Sequence, residues 1–342
     1  MASAIPGCTR LPKRTSRRSV IPGLLSAVAV AVAAVLCARA APLVGAPVFA
    51  IVLGVAIRAV LPLPASLRPG LAFSARSVLQ AAIVVSGFTL SLATVAQTGL
   101  GTLPVTLGTI AVALVLAPLA GRLLRLDRMI QTLVGVGTAI CGASAIAAVS
   151  SVLEPDEAEI ALSIAIVFFY NIVAVLVFPP IGHALHLAQD AFGIWAGTAI
   201  NDTSSVVAAG YAYGREAGDH ATIVKLTRAT LILPIVAAIA LWRARERHGS
   251  GVRVPWRRIT PWFILWFLCA ALVNGTGIVP AAWHDPVAAL AVFLISVALA
   301  AIGLQTELAR LLRTGARPLA LGFVLWVAVA VSSLAIQHAT GQ

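Results

Sequence analysis

Apolar runs of about twenty residues recur along this 342-residue chain, and they leave it few ways to fold. A helix needs roughly 20 such residues to cross a hydrocarbon layer about 30 Å thick. Eleven spans fit, near 20–38, 42–60, 78–96, 102–121, 130–151, 159–180, 193–212, 221–242, 260–280, 286–305 and 318–337. In lipid every backbone N–H and C=O must be satisfied within the chain, so such spans fold as helices. Charge is correspondingly scarce. Asp, Glu, Lys and Arg make up 11% of the residues, against roughly 25% in a soluble domain. The expected fold is therefore an all-α polytopic membrane protein with about 11 transmembrane helices. A basic tail at 1–19 precedes a single transmembrane domain at 20–337, and 338–342 form a short C-terminal tail.

The net charge of +12 orients the chain rather than marking a nucleic-acid binder, because no soluble domain carries it. Twenty of the 24 Lys and Arg residues fall on one side if the spans alternate: in the tail, around 58–76, 122–128 and 243–258, and at 310–317. That asymmetry places the N-terminus in the cytoplasm and the C-terminus outside. The expected location is the cytoplasmic membrane of a cell, with the lipid bilayer as first partner. Four scattered cysteines, Cys8, Cys37, Cys141 and Cys269, indicate neither a disulfide framework nor a zinc site. The first span also resembles a cleavable signal ending near Ala38-Arg39-Ala40. A membrane span is the reading taken; cleavage would leave ten spans in the same orientation.

Eleven of the twelve acids fall in loops or at span ends, and only Asp202 lies mid-span, roughly 15 Å from either boundary. A carboxylate at that depth costs about 2.5–3.5 kcal/mol on insertion scales. It must face protein or water, pair with a cation, or carry a proton. Thr198, Asn201, Asp202, Thr203, Ser204 and Ser205 crowd the same stretch. On a continuous helix Thr198, Asp202 and Ser205 share one face. Ser204 and Ser205 also suit hydrogen bonds to a neighbouring helix. Lys225 and Arg228, at i and i+3 in the next span, are the only basic residues well inside a span that starts outside. Arg228 is expected to extend toward Asp202. A cavity lined by these cations, Asn201 and hydroxyls would suit an oxyanion, since Arg offers a planar donor fork; snorkelling to headgroups is the alternative for Lys225.

The fifth span contributes Gly135, Gly137 and Gly142 amid Thr138, Cys141 and Ser144. Such glycines suit either close helix packing or an unwound segment beside a substrate. Asn171 in the sixth span suits an interhelical hydrogen bond, and Pro179-Pro180 are expected to end that span. His183 and His186 lack a third metal ligand and read as an interfacial turn. One internal repeat stands out: "GTAICGASAIAA" at 137–148 aligns with "GTAINDTSSVVA" at 197–208, six of twelve identical at an offset of 60. Both segments run from inside to outside, so they are parallel rather than an inverted pair.

The segments "GTAICGASAIAAVS", "FFYNIVAVLVFPPIGHALHL", "AGTAINDTSSVVAAGYAYG" and "IVKLTR" closely resemble the YeiH-like family of bacterial inner-membrane proteins, commonly described as sulfate exporters. The resemblance runs from about 42 to 337. It implies a fold similar to cation/proton antiporters and bile-acid symporters, with inverted repeats and broken helices crossing near the midplane. The broken-helix candidate is then 137–148. Asn201-Asp202 resembles the Asn-Asp pair of some cation/proton antiporters, with one span more separating it from the broken helix here.

The expected function is secondary transport of a small oxyanion, sulfate or an organosulfonate, outward across the cytoplasmic membrane. Asp202 would couple it to a proton; sodium is the other candidate ion, and homo-oligomerisation stays open. A cation/proton antiporter centred on Asp202 is the alternative. No Walker loop G-x-x-x-x-G-K-[ST] occurs. Neither an enzyme nor a metal or organic cofactor is expected, since no second mid-span acid or basic partner for Cys141 is present.

Overall fold

The computed structural model describes residues 20–40, 45–246, 262–306 and 315–342. The basic tail at 1–19 with Cys8, Arg247 to Arg258, and Arg310 and Arg313 lie outside the described residues. The helices are α1 (Ile21–Ala40), α2 (Ala46–Val60), α3 (Arg68–Phe73), α4 (Leu79–Gly87), α5 (Leu92–Gly101), α6 (Leu103–Leu123), α7 (Arg128–Ala139) and α8 (Ala143–Leu153). They continue as α9 (Glu157–Ala184), α10 (Gln189–Ala199), α11 (Thr203–Tyr213), α12 (Arg215–Thr230) and α13 (Ile232–Glu246). The last three are α14 (Trp262–Gly275), α15 (His284–Gln305) and α16 (Ala316–Thr340).

Seven helical stretches among the described residues are long and apolar enough to cross a bilayer: α1, 65–87, α6, α9, 215–239, α15 and α16. α2 and α14 are shorter apolar helices. The two remaining expected spans, 130–151 and 193–212, are each a pair of half-helices, α7 with α8 and α10 with α11. The all-α polytopic architecture is thus the one the apolar runs predict.

Three boundaries differ from expectation. The third stretch is helical over 65–87, with a single π turn at Ser74–Val78, and not over 78–96. Ser91 explains the shift: its side chain accepts the Thr94 N–H at 3.0 Å and starts α5 as a separate helix, so hydropathy alone reads across a helix boundary. Pro179 and Pro180 do not end the sixth span; α9 runs through them to Ala184. Its end is set instead by a Schellman closure, in which the Leu187 N–H bonds the Gly182 carbonyl at 3.1 Å and His186 takes φ 53°. The third is the C-terminal segment at 338–342, which is helical as far as Thr340.

Two apolar clusters organise the packing. One joins α7 through α11 with α13 and α16, through Leu133, Ile146, Phe178, Trp195 and Val206. The other joins α1, α2 and α15 with Val175 of α9 and Val207 of α11. α9 and α11 therefore touch both. α2 and α15 meet backbone to backbone at Gly54 and Gly303: a Cβ built on Gly54 would lie 2.7 Å from the Ala300 carbonyl oxygen and 2.9 Å from the Gly303 Cα. Small residues give helices in lipid the close approach that hydrophobicity cannot drive there. Gly303→Val is expected to destabilise the protein by about 1–3 kcal/mol through overpacking, lowering its thermal unfolding midpoint in detergent.

Candidate functional site

The site forms where two helices break. α7 stops at Ala139, and Ile140, Cys141 and Gly142 lead into α8. Gly142 adopts φ 65°, ψ −127°, a backbone that only a residue without Cβ takes up readily. Its carbonyl accepts the Ala145 and Ile146 N–H groups at 3.1 Å, so α8 starts there without a side-chain cap. α10 stops at Ala199, and Ile200, Asn201 and Asp202 lead into α11. Ile200 and Asp202 are both extended. Asp202 caps α11: its Oδ2 accepts the N–H groups of Ser204 and Ser205 at 3.0 and 3.3 Å, and the Ser204 hydroxyl. A carboxylate is stabilised there by the partial positive charge of the helix N-terminus. The two breaks, 140–142 and 200–202, fall at the offset of 60 that relates the sequence repeat.

This geometry corrects the helical-face reading. The helix stops between Thr198 and Asp202, so those residues do not share a face. The Thr198 hydroxyl bonds the Ser333 hydroxyl of α16 at 2.6 Å instead.

Lys225 and Arg228 project from α12 into both breaks. The Lys225 Nζ donates to the carbonyls of Ile140 at 2.7 Å and Ile200 at 3.0 Å, which are equivalent positions of the repeat. Arg228 donates through Nη2 to Thr138 at 2.9 Å, through Nε to Ala139 at 2.8 Å, and through Nη1 to Thr198. Thr138 and Thr198 are again equivalent positions. Both side chains are fully buried, at 0% exposure. The five carbonyls are the last of α7 and α10, where the helix dipole leaves partial negative charge and no intrahelical donor. The expected reach of Arg228 toward Asp202 is not observed, and among the described residues neither cation pairs with that carboxylate. Orphan carbonyls outcompete it because several converge within reach of one guanidinium.

A third element locks the arrangement. Asn171 of α9 accepts the Asn201 and Asp202 N–H groups through Oδ1, at 3.1 and 3.3 Å. A Cβ built on Gly142 would lie 3.8 Å from the Asn171 Nδ2 and 3.9 Å from the Asn201 carbonyl carbon, so the breaks stand side by side. The centre holds two cations and one carboxylate.

A family model described as "Conserved hypothetical protein 698" matches residues 22–322. A UPF0324 membrane protein of Streptococcus pyogenes serotype M18 is 40% identical over 331 residues, covering 94% of this chain and 97% of the relative. A UPF0324 membrane protein of Streptococcus pneumoniae serotype 4 is 40% identical over 307 residues, or 88% and 91% of the two chains. One from Streptococcus agalactiae serotype V is 36% identical over 332 residues, or 94% and 98%. The chain belongs to the UPF0324 family of membrane proteins. The YeiH-like resemblance read from the central motifs agrees with this membership. No solved structure matches.

Within this family member, the residues singled out in the sequence converge with different access. Thr138, Cys141, Asn171, Asn201, Ser204, Ser205, Lys225 and Arg228 are buried. Asp202 and Thr203 are half-buried, and Ser144 is exposed in the first turn of α8. The Asn201 Oδ1 is buried and has no hydrogen-bond partner among the described residues. His183 stacks on Tyr213 with ring centres 4.2 Å apart, and no group of three metal-ligating side chains exists among the described residues. Two features escaped the sequence reading. Ser333 and Gln337 of α16 bond each other at 3.1 Å and brace Thr198; their i, i+4 spacing in an apolar helix was a readable signal. Asp219 lies inside α12, not in a loop, and accepts the Tyr211 hydroxyl at 2.5 Å.

Asn171→Ala removes the acceptor for the buried Asn201 N–H and the part-buried Asp202 N–H. It is expected to cost about 1–3 kcal/mol for each donor left unpaired, seen as a lower unfolding midpoint in detergent. An unchanged midpoint would show that Asn171 does not hold the second break.

Proposed function

We propose that this protein is a secondary transporter of a small oxyanion, sulfate or an organosulfonate, exported across the cytoplasmic membrane and coupled to an ion gradient. The observation that carries the proposal is the charge at the paired breaks: Lys225 and Arg228 are both fully buried there, and the breaks contribute a single carboxylate, Asp202. The centre has one surplus positive charge when Asp202 is ionised and two when it is protonated, so a divalent oxyanion is best compensated together with a proton. α8 supports the same reading, because its N-terminus lacks a side-chain cap and its first residues, Ala143 and Ser144, are exposed. Backbone N–H groups at a helix N-terminus are suited to an anion. The α11 N-terminus already holds its own carboxylate in Asp202.

In this mechanism Asp202 takes up a proton, the oxyanion binds at the α8 N-terminus with the Ser144 hydroxyl as a donor, and both leave together. The substrate undergoes no chemical step, so no enzyme activity is assigned. Sulfate accompanied by one proton carries net negative charge outward. An inside-negative potential favours that movement by roughly 2.3 kcal/mol per charge per 100 mV. The concentration of Lys and Arg on alternate loops supports a cytoplasmic N-terminus and an external C-terminus.

One observation favours the second reading, a cation/proton antiporter: the unpartnered Asn201 Oδ1 beside the Asp202 carboxylate makes an acceptor-rich pair. Flux of labelled sulfate in proteoliposomes under imposed pH gradients separates the two. Wild type is expected to move sulfate at a rate that rises with acid on the loading side. Asp202→Asn, which retains a good cap residue, is expected to keep sulfate movement and lose most of the pH dependence. Sodium-driven proton movement without sulfate would favour the antiporter.

A further inference from the structure

A second site lies away from the breaks, where α6 turns into α7. A cavity of about 250 Å³ opens between these helices, with Leu114, Pro118 and Arg122 of α6 on one side and Arg128, Gln131 and Thr132 of α7 on the other. The two arginines come from opposite sides of the turn, Arg122 from the last turn of α6 and Arg128 from the first residue of α7. The turn is tightly closed: the Leu126 N–H bonds the Gly121 carbonyl at 3.0 Å, and Arg125 takes φ 55°.

Neither guanidinium has an ion pair or a hydrogen bond to the protein among the described residues. The neighbouring acid, Asp127, is engaged in capping α7, where its Oδ1 accepts the Met129 N–H at 2.9 Å. The amide of Gln131 is anchored to the Leu126 carbonyl at 2.8 Å, which fixes the floor between the two arginines. Both arginines are exposed at this cavity, and an anion bound between them would offset their mutual repulsion. Phosphate suits this place, because a guanidinium offers it parallel N–H donors.

The α6 side identifies the source of the phosphate. α6 is 21 residues long and apolar enough to span a bilayer, and a spanning helix of that length would carry its last turn, at Arg122, to the level of the headgroups. Leu114, Val115, Leu119 and Leu123 leave the same helix exposed, Val115 at 61% and Leu123 at 84%. An apolar face that leads directly to two unpaired arginines matches an amphiphile with an anionic head and acyl chains. We propose that this cavity binds the phosphate of an anionic membrane phospholipid, with Arg122 and Arg128 on the headgroup and the outer face of α6 on the chains.

Thermal unfolding of the purified protein in neutral detergent tests the site, with phosphatidylglycerol, phosphatidylcholine and inorganic phosphate as separate additions. Phosphatidylglycerol is expected to raise the wild-type midpoint, with the shift shrinking as salt screens the contact, while phosphatidylcholine and inorganic phosphate have little effect. The double variant R122Q/R128Q should keep the lipid-free midpoint, because its side chains lose no protein partner, and should lose the phosphatidylglycerol shift. Native mass spectrometry should show the retained lipid falling in parallel. Equal shifts from both lipids, or a full shift in the double variant, would overturn the proposal. A matching shift from inorganic phosphate would overturn the lipid as the source.

Discussion

Five backbone carbonyls and two buried cations form the interaction on which the rest of this structure depends. Breaking a helix inside a membrane exposes carbonyls that no water can reach, and each such group left unpaired costs several kcal/mol. Burying Lys225 and Arg228 without partners would cost more still. Each problem resolves the other, since the cations satisfy the ends of α7 and α10 at once. The bonds of α12 to equivalent residues of the repeat tie the two broken helices to one helix. Asn171 adds the matching contact on the donor side, by accepting the N–H groups that the second break sets free.

The two breaks share a sequence pattern but differ at two positions, Cys141 against Asn201 and Gly142 against Asp202, and the second difference matters most. Gly142 stands where Asp202 stands in the second copy, and the difference divides the labour proposed for the site. The glycine lets the backbone turn through φ 65° and leaves the α8 N-terminus without an anion of its own. The aspartate fills the α11 N-terminus and is only half-buried. In the proposed function, this near-symmetric pair would give one place to the substrate and one to the coupling ion.

Much of this was legible in the sequence, for a physical reason. Polar residues are expensive in lipid, so Asp202, Lys225, Arg228 and Asn171 stand out against their surroundings whatever the fold. The repeat at offset 60 was visible too, as was the capacity of 137–148 to unwind. What the sequence hid was the second break. Asn201-Asp202 contains no glycine or proline, so a helical wheel drawn through 193–212 placed Thr198 and Asp202 on a face that does not exist. The partners of the cations were hidden for a different reason: backbone carbonyls carry no residue identity, and a search for an acid to pair with Arg228 finds Asp202 by default. Local capping explains the remaining differences, as Ser91 shows at α5 and His186 at the end of α9.

The central claim is that the paired breaks form an electropositive centre built for an anion. Equilibrium binding of labelled sulfate and labelled sodium to the purified protein, measured across pH, tests it most directly. The account predicts saturable sulfate binding that strengthens as pH falls, with no saturable sodium binding. Saturable sodium binding that strengthens as pH rises, in the absence of any for sulfate, would contradict it.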